Sequence, residues 1–362
     1  MKTTLPGNPV VAAPGKVFLV GEYGVLEGGT AVLAAVNRHA VGEFVPALDP
    51  ASPLVAEAVR VTRLALGDKG GALPAGSVLI DSGAFTTQDG GADRGGAAII
   101  NSGAGAAAGG RKLGLGSSAA TAACAVGAVL ELAGLPIDAH RDLAFSLAES
   151  AHRAWQGGVG SGADVAAAVH GGVLQFARPA GGTPVVRRLT GGLGAIELVV
   201  FSSRAAISTT DQIHTMRAFA QAEPARYLAL LDPVRETAER FVQSLASRNA
   251  RETIAATRAA GEALAALGVG AGVPIVTPAF VRAAAIAADL GGAAKPSGAG
   301  GGDVGIALFI DRAAAQAFMA SAQHDDGKQD AGETSIEILD LTIDENGLHR
   351  RTAGNAKLEH HA

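Results

Sequence analysis

The chain has 362 residues, of which 48% are hydrophobic, 17% charged and only 4% aromatic, with a formal charge of −5. That length suits two packed lobes, and the apolar balance excludes disorder over most of the chain, leaving alanine and valine to fill much of the core by close packing. The absence of any basic block excludes a nucleic-acid partner, and no uninterrupted apolar run reaches the ~18 residues of a membrane span.

The opening "MKTTLPGNPVVAAPGK" is broken by prolines and lacks a signal-peptide core, so a soluble cytoplasmic protein is expected. "GKVFLVGEYGVLEGGTAVLAAV" reads as a strand, a glycine-punctuated turn around Gly21 and Gly28, and a second strand. In "SPLVAEAVRVTRLALG" the apolar spacing predicts a helix, with Ser52 as N-cap and Pro53 at its first position. Residues 82–110 turn to Gly, Ala, Ser and Asp and read as strand ends and a mobile loop. Helices are predicted from Ser117 to Leu132 and from Ala139 to Ala154, then a short helix from Ser161 followed by a strand. The only cysteine, Cys124, lies among small apolar residues of the first of these helices and is expected to be a buried, inert thiol.

"AIELVVFSS" predicts a strand, residues 211–267 predict long helices, and "TPAFVRAAAIAADLG" another capped helix. "AAKPSGAGGGDVGIALFI" reads as a glycine-rich loop entering a strand, and the chain closes with helix and strand. Strands and helices do not alternate strictly, which favours α+β over a doubly wound sheet. The expected lobes are 1–185 and 186–355. "KLEHHA" at the end carries no functional weight.

Three glycine-rich segments carry chemistry. In "RKLGLGSSAATAACAVGAVLELAG" a loop meets a helix whose first turn has backbone N–H groups without intrahelical acceptors and the positive end of the dipole, which together attract an anion. Gly114 and Gly116 let a ligand approach the backbone, Lys112 adds charge, and Ser117 and Ser118 can cap the helix, bond phosphate oxygens or place a hydroxyl on Mg²⁺. The same letters satisfy the dinucleotide fingerprint, but no buried strand precedes them and no carboxylate follows about 20 residues on. A Walker loop is excluded because no G-x-x-x-x-G-K-[ST] occurs. In "APGKVFLVGEYG", Lys16 is set between a Pro-Gly turn and a strand, next to the acidic loop residue Glu22. In "KPSGAGGGDVGIALF" the glycines indicate tight turning or close approach.

In this order, the three segments resemble the motifs of the GHMP small-molecule kinases, over residues 12–309. Tyr23, where histidine is usual in mevalonate kinases, together with "QGGVGSGADVA" and "KPSGAGGGD", resembles the phosphomevalonate kinase branch. The resemblance implies a lobe related to ribosomal S5 domain 2, a ferredoxin-like lobe, and an active site between them. It implies MgATP on Lys112, Gly114, Leu115, Gly116, Ser117, Ser118 and Ala119, with Ser118 facing the metal. Lys16 and Asp164 match the reactive lysine and carboxylate, and Glu22, Tyr23, Ser161, Gly162, Arg204, Ser208, Thr209, Ser297, Gly298 and Gly300 match the acceptor side. A small phosphorylated acceptor follows, with an alcohol such as mevalonate or a sugar as the alternative. His152, Arg153 and Arg204 are candidate cations for the acceptor's own phosphate. Glu149 is a candidate second magnesium ligand, although its distance from Asp164 departs from the family pattern. His39 and His170 are expected only to pack.

Overall fold

The computed structural model describes residues 8–50, 52–87, 111–158, 160–179, 181–203, 209–323 and 334–351. Strand β1 (Val10–Val20) turns through Gly24–Glu27 into the long strand β2 (Thr30–Pro46), as the β-branched residues around Gly21 and Gly28 predict. Helix α1 (Pro53–Ala65) starts at the predicted cap, where the Ser52 hydroxyl accepts the Val55 N–H at 3.2 Å. Then come α2 (Asp68–Ala72), β3 (Gly76–Asp81), α3 (Ser117–Leu132), α4 (Arg141–Trp155) and α5 (Ala163–His170). The bounds of α3 coincide with those its sequence predicts. Most of the glycine-rich stretch assigned to a loop, 88–110, lies outside the described residues, as do "KLEHHA", Arg204 and Ser208.

The rest of the chain forms β4 (Val173–Ala177), β5 (Val185–Arg188), β6 (Glu197–Ser203), α6 (Thr209–Ala222), α7 (Pro224–Ala246), α8 (Ala250–Ala271) and α9 (Pro278–Asp289). It continues with β7 (Ala293–Ser297), β8 (Val304–Phe309), α10 (Arg312–Gln323), β9 (Ile336–Leu339) and β10 (His349–Arg350). Strand β7 takes the place of part of the predicted loop. Its Pro296 is tolerated because β7 is an edge strand in the order β7-β8-β6-β9.

The described chain divides into two compact units, but not at one point. One unit takes residues up to Lys16, Ala35–Gly172 and those from Ile343 on; the other takes Val17–Ala34 and Val173–Thr342. The expected division between 185 and 186 would fall inside β5. No single cut exists because β1 and β2 each run from one unit into the other, and the chain returns to the first unit after β9.

In the first unit β2 pairs with β3, and β1 with β10, all antiparallel. Against each other pack α1, α3, α4 and α5. The inner side of α3 is almost entirely Ala, Val, Gly and Leu, so its neighbours approach closely, and Cys124 is fully buried. Burial pushes the thiol far up, consistent with an inert group. His39 does more than pack: its Nε2 lies 2.8 Å from Asp344 Oδ2, while Asp344 Oδ1 accepts the N–H groups of Asn346 and Gly347. This ties the returning segment to β2.

Burial alone would raise the Asp344 carboxyl, but the bonds from His39, Gly347 and Asn346 outweigh it and hold it below the ordinary range. A depressed carboxylate stabilises the fold above its unfolded pKa, about 3.9, and that stabilisation is lost as pH falls through the lower folded value. Melting curves recorded across this acid range are expected to fall more steeply for the wild type than for Asp344→Asn. Parallel curves would refute the assignment.

In the second unit the N-terminal end of β2 pairs with β4, which pairs with β5. The separate four-stranded sheet is fully antiparallel and packs on α9 and α10, giving the α+β organisation expected. Here bulky anchors are present after all. Phe201, Phe280, Phe309 and Phe318 form a buried chain of ring contacts with centroids 5.4 to 5.9 Å apart. Each such ring buried contributes about 1.5–3 kcal/mol, so scarce aromatics are concentrated where one sheet face must be covered by two helices.

Candidate active site

The first unit builds the loop ahead of α3 against the middle of β1, at Gly15 and Lys16. The Lys16 N–H donates to Leu115 O at 2.8 Å, and its ammonium donates to Gly114 O at 3.1 Å. A side chain at Gly15 would sit 2.7 Å from the Phe85 ring and 2.8 Å from Leu115 O, so the docking requires glycine. Gly116, at φ +80, is the N-cap, and a Cβ there would lie 3.2 Å from the Lys16 stem. Lys16 itself is mostly buried along its stem.

The expectation that Ser117 or Ser118 caps α3 is corrected by this arrangement. Gly116 holds the cap position with no side-chain bond, so the serines are the first two helical residues. Their N–H groups, with that of Ala119, are first-turn donors, and the turn contains no acidic residue to compensate the dipole. The side chain of Leu115 is buried and belongs to the core; its carbonyl is the part that meets Lys16. Lys112 is exposed and forms a β-bridge with Thr86.

Ser118 Oγ lies 3.0 Å from Nε2 of His152, a buried residue in the last turn of α4. His152 is therefore engaged with the loop serine. Arg153 sits 4.0 Å from Glu149 one turn back on α4. In the same unit Gly162 caps α5, the Ser161 hydroxyl accepts the Ala163 N–H at 3.3 Å, and Asp164 stands in the first turn with Oδ1 on the Val165 N–H at 2.9 Å. Among the described residues no group of three or more His, Cys, Asp or Glu is arranged to hold a metal ion.

The second unit ties the turn after β1 to the third glycine-rich segment. Glu22, expected to face the acceptor, is instead buried and ion-paired with the Lys295 ammonium, which also donates to Pro296 O at 2.7 Å. Burial lowers the Lys295 pKa and the Glu22 charge opposes that shift. Tyr23, at φ +58, donates its hydroxyl to Ala299 O at 2.7 Å, and burial raises the phenol so far that it stays a donor. The Ser297 hydroxyl accepts the Phe18 N–H at 2.7 Å. These bonds occupy the side chains of Glu22, Tyr23 and Ser297 in shaping the loop, because each is buried and needs a polar partner. Within the loop Gly298 and Gly300 take φ of +89 and +79, and the Gly301 N–H donates to Ile275 O at 3.0 Å.

Sequence reasoning passed over Lys295, although a lysine between Ala294 and Pro296 in an otherwise apolar run signals a buried partner. It also passed over Gln212 of α6, which is buried beside Gly301 with no hydrogen-bond partner for either amide atom among the described residues. Thr209 begins α6.

Family models match at two places: the GHMP kinases N-terminal domain at residues 99–172 and the GHMP kinases C-terminal domain at residues 242–325. A phosphomevalonate kinase of Streptomyces sp. (strain CL190) is 31% identical over 337 residues, covering 82% of this chain and 88% of that protein. The chain belongs to the GHMP kinase family. Solved structures share the GHMP kinase fold: the Lin0012 protein of Listeria innocua has a TM-score of 0.78 at 22% identity, covering 94% of this chain and 99% of that one. Streptococcus pneumoniae phosphomevalonate kinase, solved with phosphomevalonate and AMPPNP, has a TM-score of 0.71 at 20% identity, covering 92% and 99%. The loop from Lys112 to Ser118 and the α5 cap both fall inside the N-terminal GHMP match. Lys16 lies outside both matches, and the third glycine-rich segment falls inside the C-terminal match. No helix among the described residues is long and apolar enough to cross a membrane.

Proposed function

We propose that this GHMP kinase transfers the γ-phosphoryl group of ATP to (R)-5-phosphomevalonate, giving 5-diphosphomevalonate. The observation that carries this choice of acceptor is the 31% identity to a phosphomevalonate kinase across most of both chains. The nucleotide's polyphosphate lies on the first-turn N–H groups of Ser117, Ser118 and Ala119, where the macrodipole favours negative charge. Mg²⁺ gives up its water reluctantly and is usually held by substrate phosphates with one or two protein oxygens. A single hydroxyl, that of Ser118, fits an ion that arrives on the nucleotide, where it would neutralise phosphate charge.

Catalysis of phosphoryl transfer is mainly alignment and charge stabilisation. The acceptor is itself a phosphate monoester with a second pKa of about 6, so its attacking oxygen is already ionised near neutrality. The protein's task is then to offset repulsion between two anions. Lys16 serves it, held against the phosphate loop by Gly114 O and Leu115 O. Asp164, at the head of α5, orients Lys16 or the metal. Arg204 and Ser208, outside the described residues, and Thr209 remain candidates for the acceptor's phosphate.

A coupled ADP-release assay across phosphomevalonate, mevalonate, homoserine and galactose tests the proposal. Turnover is expected with phosphomevalonate. Turnover with mevalonate and none with its 5-phosphate would overturn it.

A further inference from the structure

We propose that His152 is a positioning residue for the phosphate loop, holding the Ser118 hydroxyl in one rotamer at the head of α3. The inference rests on the assignment of that loop to the nucleotide. A serine in a helix ordinarily turns its hydroxyl back to the carbonyl three or four residues before it. Here those carbonyls, of Leu115 and Gly114, already accept from the Lys16 N–H and ammonium. The Ser118 hydroxyl is instead engaged by His152 Nε2 at 3.0 Å.

A hydroxyl has one hydrogen and two acceptor lone pairs. Committing one of these interactions to a buried ring on a different helix removes the rotational freedom of Cα–Cβ. The remaining interactions then point in fixed directions, towards a phosphate oxygen or its cation. His152 cannot drift, because α4 packs on α3 and the imidazole is buried. The same imidazole lies 5.8 Å from the ring of Trp155, tilted by 31°. Trp155 is the chain's only tryptophan and is partly exposed, so its emission reports on the His152 side of this contact.

The test titrates MgADP into wild type, Ser118→Ala, His152→Leu and His152→Gln, by calorimetry and by tryptophan emission, with thermal melting as a check of folding. Wild-type emission is expected to change on saturation. His152→Leu is expected to weaken MgADP by about tenfold, the worth of one well-placed hydrogen bond, and His152→Gln to recover most of that loss. Adding Ser118→Ala to His152→Leu is expected to cost little more, because the two act as a unit. A histidine that only fills the core would lower the melting temperature of His152→Leu and leave its MgADP affinity at the wild-type value, which would overturn the inference. Ser118→Ala weakened while His152→Leu binds normally overturns this inference alone, as does Ser118→Ala binding as wild type; a wild type that binds no MgADP overturns the loop assignment with it. Should His152→Leu fail to fold, wild-type emission that stays constant while MgADP saturates overturns the inference.

Discussion

Lys16→Met is expected to lower kcat by about 10²–10³-fold, the usual cost of removing a preorganised charge stabiliser, while the protein stays folded. The reasoning starts from the stem. Lys16 is buried along its methylenes, which lie where a side chain at Gly116 would touch them at 3.2 Å. Methionine keeps that apolar packing and the N–H bond to Leu115 O, so the loop stays docked. What is lost is the ammonium and its bond to Gly114 O.

In the role proposed for Lys16, two anionic reactants then meet without its charge, and the loss is expected to fall on kcat more than on KM because charge crowding is greatest as the phosphoryl group passes. Steady-state kinetics and circular-dichroism melting together make the measurement. Asp164→Asn is expected to be the milder variant, since an ionised acceptor needs no general base. Abolished turnover in Asp164→Asn with near-normal turnover in Lys16→Met would reverse the two roles.

The largest effect on stability is expected at Glu22 and Lys295. Both are essentially inaccessible to water, and the ammonium is paired with Glu22 Oε1 and Pro296 O inside the second unit, while Glu22 Oε2 has no hydrogen-bond partner among the described residues. Removing one partner of a buried pair leaves an uncompensated buried charge or polar group and costs about 3–5 kcal/mol. Glu22→Gln and Lys295→Met should each show it in chemical denaturation, and the double variant should be destabilised by less than the sum of the two singles.

Glu22→Gln has a further signature. Burial already lowers the Lys295 pKa, and without the Glu22 charge the main opposing influence is gone. The unfolded chain then binds more protons than the folded one from that depressed value up to the ordinary lysine value, about 10.4, so the variant's stability should rise with pH across this window. Single variants as stable as wild type would show that the pair is not holding the segment.

The same pair connects stability to function. With the Tyr23 bond to Ala299 and the Phe18 bond to Ser297, it fixes the entry to the third glycine-rich loop. Glycines give that loop its turns but no rigidity, and the rigidity comes from three bonds that tie residues 295–299 to Phe18, Glu22 and Tyr23.

Local chemistry was legible from residues alone. Ser52 and Pro53 mark the start of α1, the apolar run after Gly116 gives α3 its observed bounds, and the glycines at 114 and 116 announce a backbone that a ligand can approach. The order of three glycine-rich segments was enough to recognise the family. These signals are short in range: a cap acts over three residues, and a helical period over a few turns.

Only the tertiary structure decided the partners. Glu22 and Lys295 are separated by 273 positions, and Ser118 and His152 by 34, distances over which no propensity or period carries information. The serines after Gly116 looked like caps because their residue type is right for one, yet the docking of Lys16 on the loop put glycine there and turned Ser118 towards α4. The division into units escaped a linear reading for the same reason. Two strands serve both units, and a buried charge or a shared strand is placed by whatever must surround it in space, not by its neighbours along the chain.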